Sequence, residues 1–160
     1  MKGSSFSKGM SILEVIIGAS IILILTTAIA GAWQSYIVIT RISNERTQAA
    51  LLIEETSEAL QFLRDSGWAT NIAPLALNTT YYLNWNGSTY IPTTSASLTQ
   101  NVYTRTITFS SVIRDGSDNI SGSGVIDTNT RKVTISVSTN QTPPEVSVQT
   151  EMLIHDVYDN

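Results

Sequence analysis

Few side chains in this chain of 160 residues could carry out covalent chemistry. There is no cysteine, which removes disulfides, thiolate zinc sites and cysteine nucleophiles. A single histidine, His155, leaves little material for a histidine metal site or a Ser/His/Asp triad. No carboxylate pair stands at a recognisable catalytic spacing, so no catalytic residue is assigned and the chain is expected not to be an enzyme. The oxygen-rich run Asp115-Gly116-Ser117-Asp118-Asn119 could hold Ca²⁺, but it lacks the D-x-[DN]-x-[DN]-G spacing and the downstream bidentate glutamate. It reads as a solvated loop, and no metal or other cofactor is assigned. The residue whose chemistry demands an explanation is Glu14. It interrupts an apolar run that begins at Met10, and from Val15 to Thr40 no charged residue follows. A carboxylate in such a setting costs several kcal/mol unless it finds a partner or is neutralised.

The element that positions Glu14 is the apolar run itself. Val15–Thr40 spans 26 residues, against the ~20 needed to cross a bilayer as a helix. It is too long for the ~7–15-residue core of a secretory signal, and no small-residue cleavage site follows closely. Lys2 and Lys8 in the short polar stretch 1–9 would hold the N-terminus in the cytoplasm. Trp33 and Tyr36, near the end of the run, have the character of interfacial anchors.

Nothing breaks the helix beyond Ala32. Ile42, Ala49, Leu52, Ile53, Thr56, Ala59, Leu60 and Leu63 recur at spacings of three, four and seven, which makes one apolar stripe. The acidic and basic residues Glu45, Arg46, Glu54, Glu55, Glu58, Arg64 and Asp65 lie largely off it. Gly67 is a stop signal. One helix is therefore expected over about 10–65, with its second half on a globular domain or, alternatively, in a coiled-coil dimer.

From Trp68 onward the sequence predicts strands. Tyr81–Trp85 and Ser88–Ile91 flank Asn86-Gly87, a hairpin signal, with Pro92 closing the hairpin. Val102–Ile113 alternates, with Tyr103, Arg105, Ile107 and Phe109 on one side. Arg131–Thr139 places Val133, Ile135 and Val137 on one face. Pro143-Pro144 marks a break, and Val146–Val157 supplies the last strand. The expected fold class is α+β: a long N-terminal helix packed on an antiparallel head of about four to six strands. Tyr81, Tyr82, Trp85 and Tyr90 could form a stacking platform for a sugar or DNA, but cross-strand or core packing is the favoured reading. Four N-x-[ST] matches, at Asn78, Asn86, Asn119 and Asn140, are what a Ser/Thr/Asn-rich head gives by composition. With a net charge of −4 there is no basic footprint for nucleic acid.

The stretch Lys8-Gly9-Met10-Ser11-Ile12-Leu13-Glu14-Val15, followed by Ile16 through Ala32, resembles the N-terminus of type IV pilins and pseudopilins. The resemblance implies a leader, 1–9, cut by prepilin peptidase between Gly9 and Met10, then N-methylation of Met10. It places Glu14 where the family carries its assembly glutamate, able to neutralise the new amine of an adjacent subunit. Residues 10–40 would be the membrane span and later the filament core, 41–66 its amphipathic continuation, and 67–160 the β-rich head. The implied partners are the peptidase, other pilin or pseudopilin subunits, an assembly platform with its ATPase, and the membrane. The implied location is the inner or cytoplasmic membrane as a single-pass protein with the head outside, then an extracellular or periplasmic filament. Many major pilins carry a proline within this helix. Here the first proline is Pro74, and Gly31 stands near the corresponding place, which leans toward a minor pilin or pseudopilin. The competing reading is an uncleaved, membrane-anchored binding or adhesion module with a β-rich extracytoplasmic head.

Overall fold

The computed structural model describes residues 12–141 and 145–157. The expected leader 1–9, the Gly9–Met10 junction, the Pro143-Pro144 break and Thr142 of the Asn140 sequon lie outside the described residues. The fold is α+β. Helix α1 (Ile12–Asp65) is followed by a short helix α2 (Trp68–Asn71) and six strands: β1 (Thr80–Trp85), β2 (Tyr90–Thr93), β3 (Leu98–Thr99), β4 (Tyr103–Arg114), β5 (Val125–Thr139) and β6 (Ser147–His155). The chain divides into two compact units, Met1–Arg41 and Ile42–Asn160.

In the second unit every strand pairing is antiparallel, in the order β2-β1-β4-β5-β6, with β3 beside β4. The alternation read from β4 is the alternation built. Tyr103, Arg105, Ile107 and Phe109 are buried while the residues between them are half-exposed. Val133, Ile135 and Val137 of β5 are also buried. The helix contributes Ala49, Leu52, Thr56, Ala59, Leu60 and Leu63, all buried. Ile42 and Ile53 of the same stripe are partly buried beside them. One cluster joins Leu60 and Leu63 to Ile107, Phe109, Ile135 and Ile154. A second joins Ala49 and Leu52 to Tyr103, Val137 and Val146. The stripe is thus occupied by the chain's own sheet. Thr56 is tolerated inside because its hydroxyl donates to the Leu52 carbonyl, 2.6 Å away.

Three local expectations are corrected. Trp68 opens a helical turn, not strand structure: Trp68 and Ile72, four residues apart, both bury their side chains in the core. Gly67, at φ 142°, makes the break between the two helices. The β1–β2 turn has four residues, not two. The Asn86 carboxamide oxygen accepts from the Ser88 and Thr89 amides at 2.9 and 2.8 Å, closing an Asx turn ahead of the Trp85–Tyr90 pair. Pro92 does not close the hairpin but lies inside β2, opposite Leu83. It is admissible because β2 is the sheet's edge, where a missing N–H breaks no ladder.

The β4–β5 hairpin shifts register at Ser111/Val112, and its loop holds the 115–124 run. At Gly124, φ 145°, a Cβ would sit 2.0 Å from the Arg114 carbonyl oxygen, so only glycine fits there. The base of this hairpin is held by charge. Arg114 Nε donates to Asp127 Oδ2 at 2.7 Å. The Thr130 hydroxyl and this guanidinium together bring the Asp127 carboxyl down to about 2. A lowered carboxyl stabilises the fold above its unfolded value, near 3.8, and that contribution is lost as pH falls through the folded value. Asp127→Asn is therefore expected to flatten the stability–pH curve between about pH 4 and pH 2, as read by denaturant titration across that range.

Candidate functional site

In the first unit, α1 carries Glu14 in its first turn, exposed. It makes no hydrogen bond or ion pair with another described residue. The turns that follow expose Ile16, Ile17, Ile21, Ile22, Leu23, Ile24 and Leu25 to more than half of their area, and Ile37 and Ile39 likewise further along. α1 is the described helix long and apolar enough to cross a membrane, and its most apolar stretch buries nothing within the chain. Trp33 and Tyr36, one turn apart, are both exposed, with ring centroids 6.3 Å apart.

Four hydroxyls of this segment are already satisfied. The Ser20, Thr26 and Ser35 hydroxyls donate to carbonyls four residues back at 2.8, 2.7 and 3.1 Å. Thr27 donates to the Leu23 and Ile24 carbonyls. A hydroxyl bonded this way adds little cost in hydrocarbon. The helix runs through Gly18 and Gly31 without a break, and a Cβ at either would meet nothing within 4 Å. Among the described residues of this segment, the charged group without a partner is the Glu14 carboxylate, and it stands beside a long apolar surface. Such a surface is stable only in lipid or against other apolar helices.

The other sequence candidates separate. In the 115–119 loop, Asp115 Oδ1 accepts from the Ser117 and Asn119 amides at 2.8 and 3.0 Å, which caps the turn and lowers its pKa. Arg114 lies 3.6 Å from Asp118. Among the described residues no group of three His, Asp or Glu side chains is placed to hold a metal. His155 is exposed at the end of β6, opposite Thr130. The aromatic hairpin splits in two. Tyr81 is core, edge-on to Phe109 at 6.0 Å, with its hydroxyl accepting from the Ala76 amide. Trp85 is 58% exposed and packs against Tyr90 at 5.0 Å.

One cluster escaped the sequence reading. Arg105 is 4% exposed. Its Nη1 donates to Glu55 at 3.0 Å and its Nη2 to the Leu83 carbonyl at 3.2 Å. Its guanidinium lies 5.5 Å from the centre of the Tyr90 ring, and the Tyr90 hydroxyl donates to the same Glu55 oxygen. Burial works to raise the Glu55 carboxyl, but the Tyr90 hydroxyl and Arg105 outweigh it and hold it below the ordinary glutamate value. The same contact, with burial, pushes the Tyr90 phenol up. The signal was present in the alternation of β4, which puts an arginine on an inward position and so requires a buried acceptor. No protein-family model, curated protein or solved structure gave a match to the chain.

Proposed function

We propose that the chain is a structural subunit of a type IV pilin-like filament, a minor pilin or pseudopilin, made as a membrane precursor and assembled through its N-terminal helix. The observation that carries this reading is Glu14: an exposed carboxylate without a partner among the described residues, in the first turn of a helix whose next 26 residues carry no charge. The covered stripe of 42–65 adds support, because the chain's own sheet occupies the stripe that a coiled-coil dimer would need, while the apolar stretch before it is left exposed.

On this reading the membrane holds residues 15–40 before assembly, with the Lys2 and Lys8 side inside. Prepilin peptidase cuts after Gly9, and the new amine at Met10 is methylated. That amine then meets Glu14 of an already placed neighbour. The pair offsets much of the cost of keeping each charge in a low-dielectric helix bundle, and it sets the axial register of the incoming subunit. An ATPase-driven platform supplies the work of extraction, and the heads form the filament surface.

The test is the intact mass of the protein isolated from membranes of a host with an active prepilin peptidase. The expected species begins at Met10, with or without one methyl group. A chain retaining residues 1–9 in that host overturns the proposal and leaves an uncleaved, anchored binding module.

A further inference from the structure

The β1–β2 turn holds the chain's single Asn-Gly step, Asn86-Gly87, which assembly through the upper helix does not use. Such a step carries its own electrophile and its own nucleophile. The electrophile is the asparagine side-chain carbon, Cγ. The nucleophile is the next backbone nitrogen, placed to close a five-membered ring. Any other residue after asparagine crowds that nitrogen with a Cβ; glycine does not.

The fold supplies what the two residues alone do not. Asn86, Gly87 and Ser88 are all exposed, so water reaches the reacting bond. The Gly87 N–H donates to no other described residue, and the space beside Gly87 is open for 4 Å. The Ser88 and Thr89 amides donate to Asn86 Oδ1 at 2.9 and 2.8 Å. That oxygen gains negative charge as the nitrogen attacks Cγ, and backbone donors stabilise such an oxyanion from ~2.7–3.1 Å. A further bond from the Asn86 N–H to the Thr89 carbonyl, 3.1 Å, fixes the turn, so the donors are in place before the attack. Asp115-Gly116 gives the contrast within the same chain. Asp115 Oδ1 also accepts two amides, from Ser117 and Asn119. Those bonds hold its carboxyl in the charged form, which repels a nucleophile and has no ammonia to lose.

We infer that Asn86 is a self-modification site, where the folded turn converts asparagine to aspartate and isoaspartate through a cyclic imide shared with Gly87.

The Gly87 nitrogen gives its proton to solvent base and forms a bond to Asn86 Cγ. The Cγ–Nδ2 bond then breaks, and Nδ2 leaves as ammonia with a proton from water. Water next opens the imide. Breaking the bond from Cγ to the Gly87 nitrogen gives aspartate. Breaking the bond from the Asn86 main-chain carbonyl carbon to that nitrogen gives isoaspartate, whose backbone runs through the former side chain. The sum consumes one water and releases one ammonia.

The test ages the full chain in a nonionic detergent at mildly alkaline pH, beside the same chain unfolded in denaturant. Peptide mass reads the gain of one mass unit at Asn86, and fragmentation separates aspartate from isoaspartate. The expected result is conversion at Asn86 at least as fast in the folded chain as in the unfolded one. Ser88→Pro, which removes one amide donor, should lower the folded-to-unfolded rate ratio roughly threefold to tenfold. Ser88→Ala, which keeps the amide, should leave the ratio unchanged. A folded rate well below the unfolded rate overturns the inference, because the turn then protects the residue. Equal ratios for Ser88→Pro and wild type, or isoaspartate forming as fast at Asp115 as at Asn86, also overturn it. None of these outcomes bears on whether the chain is cleaved after Gly9, so the site and the filament role fail separately.

Discussion

Replacing Arg105 with alanine is expected to destabilise the head by about 2–4 kcal/mol, a large share of the ~5–15 kcal/mol that holds a domain together. The side chain is buried and ties three elements: Glu55 and Thr56 on α1, the Leu83 carbonyl on β1, and its own strand β4. Truncation removes the guanidinium and its stem together. The Leu83 carbonyl loses its side-chain donor, and a buried carbonyl left short of a partner costs about 1–3 kcal/mol. Lost packing of the stem adds to this. The ion pair itself is the smaller part, because the Glu55 side chain is 42% exposed and can turn to water when Arg105 is gone. This ordering makes the prediction specific. Arg105→Met, which keeps the stem, should cost less than Arg105→Ala, and Glu55→Gln should cost least. Denaturant unfolding of the full chain, followed by fluorescence of the buried Trp68, checks the order. If Glu55→Gln costs as much as Arg105→Ala, the ion pair and not the carbonyl contact is the stabilising element.

Arg105 also marks where the sequence stopped being legible. Elements with a long repeating pattern could be read directly. The stripe from Ile42 to Leu63, the alternation of β4, and Val133, Ile135 and Val137 of β5 are each enforced by many residues at one period, so local errors average out. The β1–β2 strands were also readable, but the short helix and the details of the hairpin were not. Four residues of α2 hold only one apolar pair at helical spacing, Trp68 and Ile72, which is too little to compete with the surrounding β-branched composition. Pro92 looked like a terminator because its edge position is a fact of strand order, set by contacts between β1 and β4 far along the chain. The Arg105–Glu55 contact joins residues 50 positions apart and needs the sheet already folded onto the helix. The candidate site divides the same way. Glu14 is legible because its anomaly is local, one charge in an uncharged run. The two amides that meet the Asn86 side chain are not, because they need the turn already closed.

Glu14→Ala is expected to leave cleavage after Gly9 intact and to lower incorporation into filaments by about tenfold or more. The reasoning follows the charges. On the proposed filament role, cleavage after Gly9 would place a positive amine at Met10 of each mature subunit, next to an apolar span. In the membrane that amine can stay at the headgroup level; in a filament it must enter a helix bundle. With Glu14 present on the neighbour, the bundle gains a partner for a charge that otherwise costs several kcal/mol to hold there. With alanine, the incoming subunit carries its amine into the bundle unmatched, while the membrane-held state is unaffected. The whole effect therefore falls on the step from membrane to filament. The folded head should not change, because Glu14 lies in the unit formed by residues 1–41 and makes no contact with another described residue by hydrogen bond or ion pair. Glu14→Gln, which keeps hydrogen bonding and loses charge, should fall between wild type and alanine, and Glu14→Asp should recover part of the loss. The measurement is the ratio of processed subunit in sheared filaments to that in membranes, with intact mass on both fractions. Equal ratios for wild type and Glu14→Ala remove the amine-pairing role. Loss of cleavage in Glu14→Ala moves the residue from assembly to recognition by the peptidase.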